Sequence, residues 1–176
     1  MLSYSGFFVL QKGTPATFKT EFRLAHDGQK LYVAAHCFQK SDQFFVISSG
    51  RDGRVWSDDS VEFLLNKPQT KGPKDYFQVI LNTENPPNLF DMLNGDWNWN
   101  CGVEAASQRQ PSEGWTIEFA VPLKEIAMDP ARDRFLKMNM VRNVMARANE
   151  YAEISNWFPT YYANGDLESR GWLVLE

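Results

Sequence analysis

What most limits the fold of this chain is the rhythm of its apolar residues. Short runs alternate with period two, and turn signals break them roughly every ten positions. Residues 17–24 set the pattern: Phe18, Phe22 and Leu24 share one face, and Lys19, Glu21 and Arg23 share the other. Asp27-Gly28 follows as a hairpin signal, and residues 30–38 return with Leu31, Val33, Ala35 and Cys37 inward. Residues 60–65 place Val61, Phe63 and Leu65 toward a core, so Ser60, Glu62 and Leu64 face away. Residues 76–81 do the same, with Phe77, Val79 and Leu81 in and Tyr76, Gln78 and Ile80 out. After a turn at Asn85-Pro86-Pro87-Asn88, a modest strand is expected over 102–108, and Trp115, Ile117, Phe119 and Val121 alternate over 115–121.

In residues 135–144, Leu136, Met138 and Met140 form the apolar face, and Asn139 and Asn143 point the other way, toward the side of Glu62. Arg142 shares the apolar parity, so it is expected to emerge at the strand's end or to pair with a buried acid such as Glu118. Short strands over 153–157 and 171–175 complete the series. Pro122 opens the one helical piece, residues 122–127. With no long helix between strands, pairing must be antiparallel. The expected fold is an all-β antiparallel sandwich, jelly-roll or immunoglobulin-like, of roughly nine to ten strands with one short helix.

The chain has 176 residues and reads as one domain over 1–176. Its 18 Lys and Arg against 22 Asp and Glu give a formal charge of −4, which argues against nucleic acid as a partner. No stretch approaches the ~20 apolar residues that span a bilayer, so no membrane partner is expected. Residues 1–6 lack the charged start and apolar run of a secretion signal. The expectation is a cytosolic protein or a piece excised from a longer secreted chain. Aromatics are the unusual component: 13 Phe, 6 Trp and 6 Tyr make 14% of the chain. Some must be core, and the Trp residues also offer flat apolar plates for a ligand. Whether Cys37 and Cys101 meet is left open by spacing.

Enzyme templates find little support. The two His, His26 and His36, have no nucleophile motif nearby, and no Cys-x-x-Cys, His-Glu-x-x-His or Walker pattern is present. The densest constellation is residues 51–63, where Trp56, Asp58, Asp59 and Glu62 converge on a strand entrance. An aromatic plate beside planar polar groups such as Glu62 and Gln78 suits a sugar, which offers C–H faces and hydroxyls. The alternative is that Asp58 and Asp59 cap a turn and Glu62 is merely solvated. Asp96-Trp97-Asn98-Trp99-Asn100 is a second odd patch, in which Trp97 and Trp99 serve either ligand contact or loop packing.

The segment Val55-Trp56-Ser57-Asp58-Asp59-Ser60-Val61-Glu62-Phe63 resembles the Trp-x-x-Asp-Ser-Val-Glu signature of family 9 carbohydrate-binding modules and the wider family-9-like and DOMON-like sandwiches. Leu31-Tyr32-Val33 resembles the family's early Leu-Tyr-Val strand, and Tyr76-Phe77-Gln78-Val79, residues 114–122, Asn139-Met140-Val141-Arg142, Ser155-Asn156-Trp157 and residues 171–175 resemble its later elements in the right order. The resemblance implies a non-catalytic β-sandwich that binds oligo- or polysaccharide, usually covalently linked to a glycoside hydrolase and therefore extracellular. It implies a terminal sugar held between two aromatic rings. Trp56 matches one. The second position reads Asn164, with Tyr161 and Tyr162 just upstream as substitutes, and the family's central-strand Arg is Gln78 here. The ligand-binding set expected on this basis is Trp56, Glu62, Gln78, Trp97, Trp99, Asn143, Trp157, Tyr161 and Tyr162. No cofactor is required. Relatives commonly hold structural calcium in loops; Asp42, Asp52, Asp58 and Asp59 are the oxygens available for it here, but their spacing matches no EF-hand loop and no ligand is assigned.

Two rival readings stand beside this one. A haem-binding DOMON-type electron-transfer domain would draw an axial pair from Met128, Met138, Met140 or Met145 with His26 or His36. A spacer domain would carry the sandwich and no ligand.

Overall fold

The computed structural model describes residues 3–40, 43–70 and 72–176. Twelve strands run in chain order: β1 (Ser3–Tyr4), β2 (Phe8–Val9), β3 (Thr20–His26), β4 (Lys30–Phe38), β5 (Ser60–Asn66), β6 (Phe77–Asn82), β7 (Leu89–Leu93), β8 (Glu104–Gln110), β9 (Gly114–Pro122), β10 (Phe135–Arg147), β11 (Glu150–Asn156) and β12 (Gly171–Val174). They form two antiparallel sheets. One has five strands in the order β1-β3-β4-β9-β8. The other has seven, β2-β11-β10-β5-β6-β7, with β12 paired to β10. Long β10 accommodates both neighbours on one edge: β12 pairs with Phe135–Met138 and β11 with Val141–Arg147. The expected all-β sandwich is what forms.

The period-two alternation explains the packing. Leu31, Val33, Ala35 and Cys37 of β4 meet Trp115, Ile117, Phe119 and Val121 of β9 in one inward layer. Val61, Phe63 and Leu65 of β5 and Leu136, Met138 and Met140 of β10 supply the facing layer. All of these are buried to 4% exposure or less, and burying such side chains stabilises by about 1.5–3 kcal/mol each. Gly114 opens β9 at φ +127, where a Cβ would lie 2.0 Å from the carbonyl oxygen of Cys37, so only glycine fits this crossing.

Several expectations are corrected. Residues 122–127 form turns instead of a helix. Glu125 N donates to Pro122 O, Met128 N donates to Leu123 O, and Ala127 takes φ +55. Leu123 and Ile126 are drawn into the core, and so short a segment cannot offset helix nucleation. Among the described residues the only helical turn is the 3-10 segment Val55–Ser57. β1, β2 and β7 were not anticipated. β1 and β2 have two residues each, too few to show a period. β7 is buried at Leu89, Phe90, Asp91 and Met92, on both faces, so it does not alternate.

Arg142 does not pair with Glu118, which is exposed on the far side of β9. It lies inside the sandwich at 0% exposure. Its Nη1 donates to the carbonyls of Ser60 (3.3 Å) and Asn143 (3.0 Å), its Nη2 donates to Gln39 Oε1 (2.6 Å), and the guanidinium covers the Trp115 ring at 4.8 Å. Cys37 and Cys101 are separate free thiols. Burial pushes them up to about 11 and about 12 respectively. The haem pairing loses its geometry at these positions: Met138 and Met140 point between the sheets, whereas His36 stacks on Phe38 at 3.9 Å, on the opposite side of β4 from the core residues Ala35 and Cys37.

Candidate functional site

Strand register assembles the site on the outer face of the seven-stranded sheet, away from the core. One row across the sheet reads Asn156, Val141, Glu62, Ile80, Phe90. The next rows bring Asn143 beside Ser60, and Leu64 beside Gln78 and Met92. Gln78 and Asn143 therefore lie diagonal to Glu62 on neighbouring strands, close enough for long side chains to meet.

They do meet. Glu62 Oε1 accepts from Asn143 Nδ2 and Oε2 accepts from Gln78 Nε2, both at 2.8 Å. The Asn164 side chain also acts to lower the proton affinity of this carboxylate, and its own Oδ1 is buried without a hydrogen-bond partner among the described residues. Glu62 is 4% exposed and belongs to no ion pair among the described residues. Burial pushes its carboxyl above the usual range, and the amides of Asn143, Gln78 and Asn164 pull it back in part. Such a group is a strong acceptor set among amides and is not merely solvated.

Trp56 stands beside this cluster. Its ring is half-buried and lies edge-on to Phe90 (5.3 Å) and Trp97 (5.8 Å), and its carbonyl accepts from Tyr151 Oη at 2.6 Å. Trp97 is 54% exposed and extends the aromatic surface. The 3-10 turn carrying Trp56 is fixed by the two acids that follow it. Asp58 accepts from Ile47 N (2.8 Å), Ser48 N (3.1 Å), Asn82 Nδ2 (2.9 Å) and the Ser48 hydroxyl. Asp59 accepts from Phe45 N (2.7 Å) and Met145 N (3.0 Å). These carboxylates are committed to amide and hydroxyl protons. Among the described residues no group of three or more His, Cys, Asp or Glu is arranged to hold a metal ion. Asp42 lies outside the described residues.

A second ring comes from an unexpected place. Tyr76, just ahead of β6, packs with Trp56 against the same small cluster of Val55, Ile80, Phe90 and Met92. Gln78 shares the outward parity of Tyr76 and Ile80, so it sits between the two aromatics. The guanidinium of Arg170 lies 4.5 Å from the Tyr76 ring centre and donates to Asn66 Oδ1 (2.7 Å) and Gly165 O (3.2 Å). Desolvation pulls Arg170 down to about 10.

The segment bearing Asn164 is tied to the sheet by Asn139. Its Oδ1 accepts from Phe158 N (2.9 Å), and its Nδ2 donates to the carbonyls of Phe158 (2.9 Å) and Ser169 (3.4 Å), closing the base of the loop 158–169.

Other expected residues lie elsewhere. Trp157 belongs to the core, edge-on to Tyr4 (5.5 Å) and Phe22 (5.4 Å). Its ring crosses Gly171, where a Cβ would sit 2.6 Å from it. Trp99 also turns inward, edge-on to Phe77 at 6.0 Å. The Tyr161 ring lies against Gly13, the Tyr162 carbonyl accepts from Gln11 Nε2 at 3.3 Å, and both side chains are exposed, at 59% and 82%. Tyr76, Arg170 and Tyr151 were not among the expected site residues, and Asn164 was named only as the residue standing where the family's second ring is expected. Tyr76 had a signal in its shared parity with Gln78, and Asn164 had one in the family resemblance.

A family model described as carbohydrate family 9 binding domain-like matches residues 6–175. Among solved structures, a putative carbohydrate-binding protein from Bacteroides uniformis superposes with a TM-score of 0.75 at 18% identity, covering 100% of this chain and 87% of that one. A family 9 carbohydrate-binding module from Caldicellulosiruptor kristjanssonii in complex with glucose gives 0.67 at 15% identity, covering 98% and 84%. Its complex with cellotriose gives 0.67 at 15% identity, covering 98% and 82%. No curated protein matches the chain.

Proposed function

Because the chain belongs to the carbohydrate family 9 binding domain-like family, we propose that it binds the terminal unit of an oligo- or polysaccharide on the outer face of the seven-stranded sheet. The observation that carries the reading is the juxtaposition of a half-exposed indole, Trp56, with a buried carboxylate, Glu62, that only amides hold. The sugar's C–H face stacks on Trp56 and the opposite ring is Tyr76, in place of the upstream Tyr161 and Tyr162. Gln78 forms the floor. Glu62, Asn143 and Asn164 meet the hydroxyls. A carboxylate accepts from a hydroxyl without needing a cation, and side-chain amides both donate and accept, which suits the mixed character of sugar hydroxyls.

The site does no chemistry. A paired-carboxylate hydrolase needs two acids flanking the scissile bond, and the groups bonded to Glu62 are amides. The module raises the local concentration of an attached glycoside hydrolase on its polysaccharide, outside the cell. No described helix is long and apolar enough to cross a membrane.

Calorimetric titration of the purified chain with glucose, cellotriose and a panel of other oligosaccharides tests the proposal. Saturable binding to at least one sugar, lost in Trp56→Ala, is expected. Silence across the panel, or binding that Trp56→Ala leaves intact, overturns it in favour of the ligand-free spacer.

A further inference from the structure

The opposite sheet carries a feature that sugar binding does not use. On the outer face of the five-stranded sheet, one row across the strands reads Arg23, Ala34, Glu118, Ala106, and the next reads Ala25, Tyr32, Ala120, Glu104. The alanines leave a hollow of about 570 Å³, with Tyr32 at its rim, 41% exposed. The Tyr32 ring is fixed at its far end, where Oη donates to Asp27 Oδ2 at 2.8 Å. Arg23 and Glu118 are both exposed and stand two strands apart, ~10 Å at the usual spacing. Ala34 between them is too short to bridge either. Neither belongs to an ion pair among the described residues. The carboxylate of Glu21, beside Arg23, is taken by Lys19 at 2.6 Å, and Glu104 is taken by Lys30 at 2.7 Å.

We infer that this face is a self-association surface whose partner is a second copy of the same chain. A surface that docks on itself must be self-complementary about a two-fold axis, and this charge pair meets that condition. An axis lying along β4 at Ala34 sets Arg23 of each copy opposite Glu118 of the other, forming the same ion pair twice. It sets Ala34 against its own counterpart and Ala25 against Ala120, and the two Tyr32 rings, which meet on the axis, set the separation of the sheets. Lys30 on β4 also faces its counterpart, with its charge held by Glu104 of its own copy. A patch this small lies at the weak end of specific interfaces, so the dimer is a concentration-dependent one. The candidate sugar face is on the other sheet, so a dimer built here presents its two sites in opposite directions. It links two polysaccharide chains instead of gripping one twice.

The test is sedimentation of the full chain over a range up to ~1 mM, for wild type, Arg23→Glu, Glu118→Arg and the double swap, with circular dichroism melts to verify that each folds. Wild type is expected to shift toward twice the monomer mass. Each single swap opposes like charges and weakens association at least ~10-fold, and the double swap restores it to within a few-fold. A wild type that stays monomeric throughout, single swaps that change nothing, or a double swap that fails to recover overturns the inference. None of these outcomes touches Trp56 or Glu62, so sugar binding stands or falls separately.

Discussion

Asn143 Nδ2 donates to Glu62 Oε1 at 2.8 Å across the β10–β5 pair, which leaves a carboxylate of 4% exposure bonded to amides and to no cation. Its folded-state affinity for a proton is raised, chiefly by burial. Between the ordinary carboxylate range and that raised value, the folded chain holds more protons than the unfolded one. The Glu62 contribution to stability is therefore fully present below the ordinary range and is lost as pH rises through the raised one. Sugar binding runs the other way, because only the ionised carboxylate offers all its lone pairs to hydroxyls. Comparing wild type with Glu62→Gln isolates both effects. As pH falls through the raised range, the wild-type melting temperature should gain on the variant while wild-type affinity declines. Parallel pH profiles for the two proteins would contradict the assignment.

The Tyr76 ring is placed by Arg170 behind it and by the cluster it shares with Trp56. Tyr76→Ala should lower sugar affinity about tenfold, in line with loss of one aromatic anchor. Tyr76→Phe should retain most of it, since stacking needs the ring and not the hydroxyl. Titration of both variants decides. Equal affinity in Tyr76→Ala and wild type would remove Tyr76 from the site.

Asn139 closes the base of the loop that delivers Asn164. Asn139→Ala leaves the Phe158 N–H and two carbonyls without these partners, a loss of about 1–3 kcal/mol. The expected result is a lower melting temperature together with weaker sugar binding, measured by scanning calorimetry and titration. A stability loss with unchanged affinity would remove Asn164 from the sugar site.

The contrast between these residues shows what alternation can and cannot reveal. Glu62 and Gln78 were legible because a strand's parity assigns each residue a face, and β5 and β6 keep strict parity: Val61, Phe63, Leu65, Phe77, Val79 and Leu81 all enter the core. Asn143 was legible for the same reason on β10. Asn164 was marked only by its place in the family resemblance, because loop 158–169 has no period, and its approach to Glu62 depends on the Asn139 clamp. Trp157 and Trp99 misled because an indole has the same composition whether it stacks on a ligand or packs on Phe22 and Phe77. The deciding contacts come from Tyr4 on a two-residue strand, too short to show a period, and from the Asn94-Gly95 turn after β7, whose dipeptide signals a turn but not which way the indoles beyond it face. Arg142 had the right parity, but Glu118 is not its partner. Backbone carbonyls, a glutamine and the Trp115 face hold the guanidinium, and the buried acid that feels its charge is Asp59.

Asp58 links the stability of the sandwich to the aromatic wall, so one substitution there should move both. The side chain is 0% exposed and gathers two backbone amides, the Asn82 amide and the Ser48 hydroxyl. These hold the irregular segment at residues 47–48 against the 3-10 turn that carries Trp56. Asp58→Ala leaves several buried donors unmet at once, and a buried donor left without its acceptor costs about 1–3 kcal/mol. Asp58→Asn keeps the shape and one acceptor oxygen but turns an NH2 group toward donors, so an intermediate loss is expected. Affinity should fall in the same order as stability, because the indole loses its fixed orientation before the rest of the fold yields. Denaturant melts and titrations on the two variants check the ranking. If Asp58→Asn were destabilised yet bound sugar like wild type, the Trp56 turn would be held by its contacts with Phe90 and Trp97 alone.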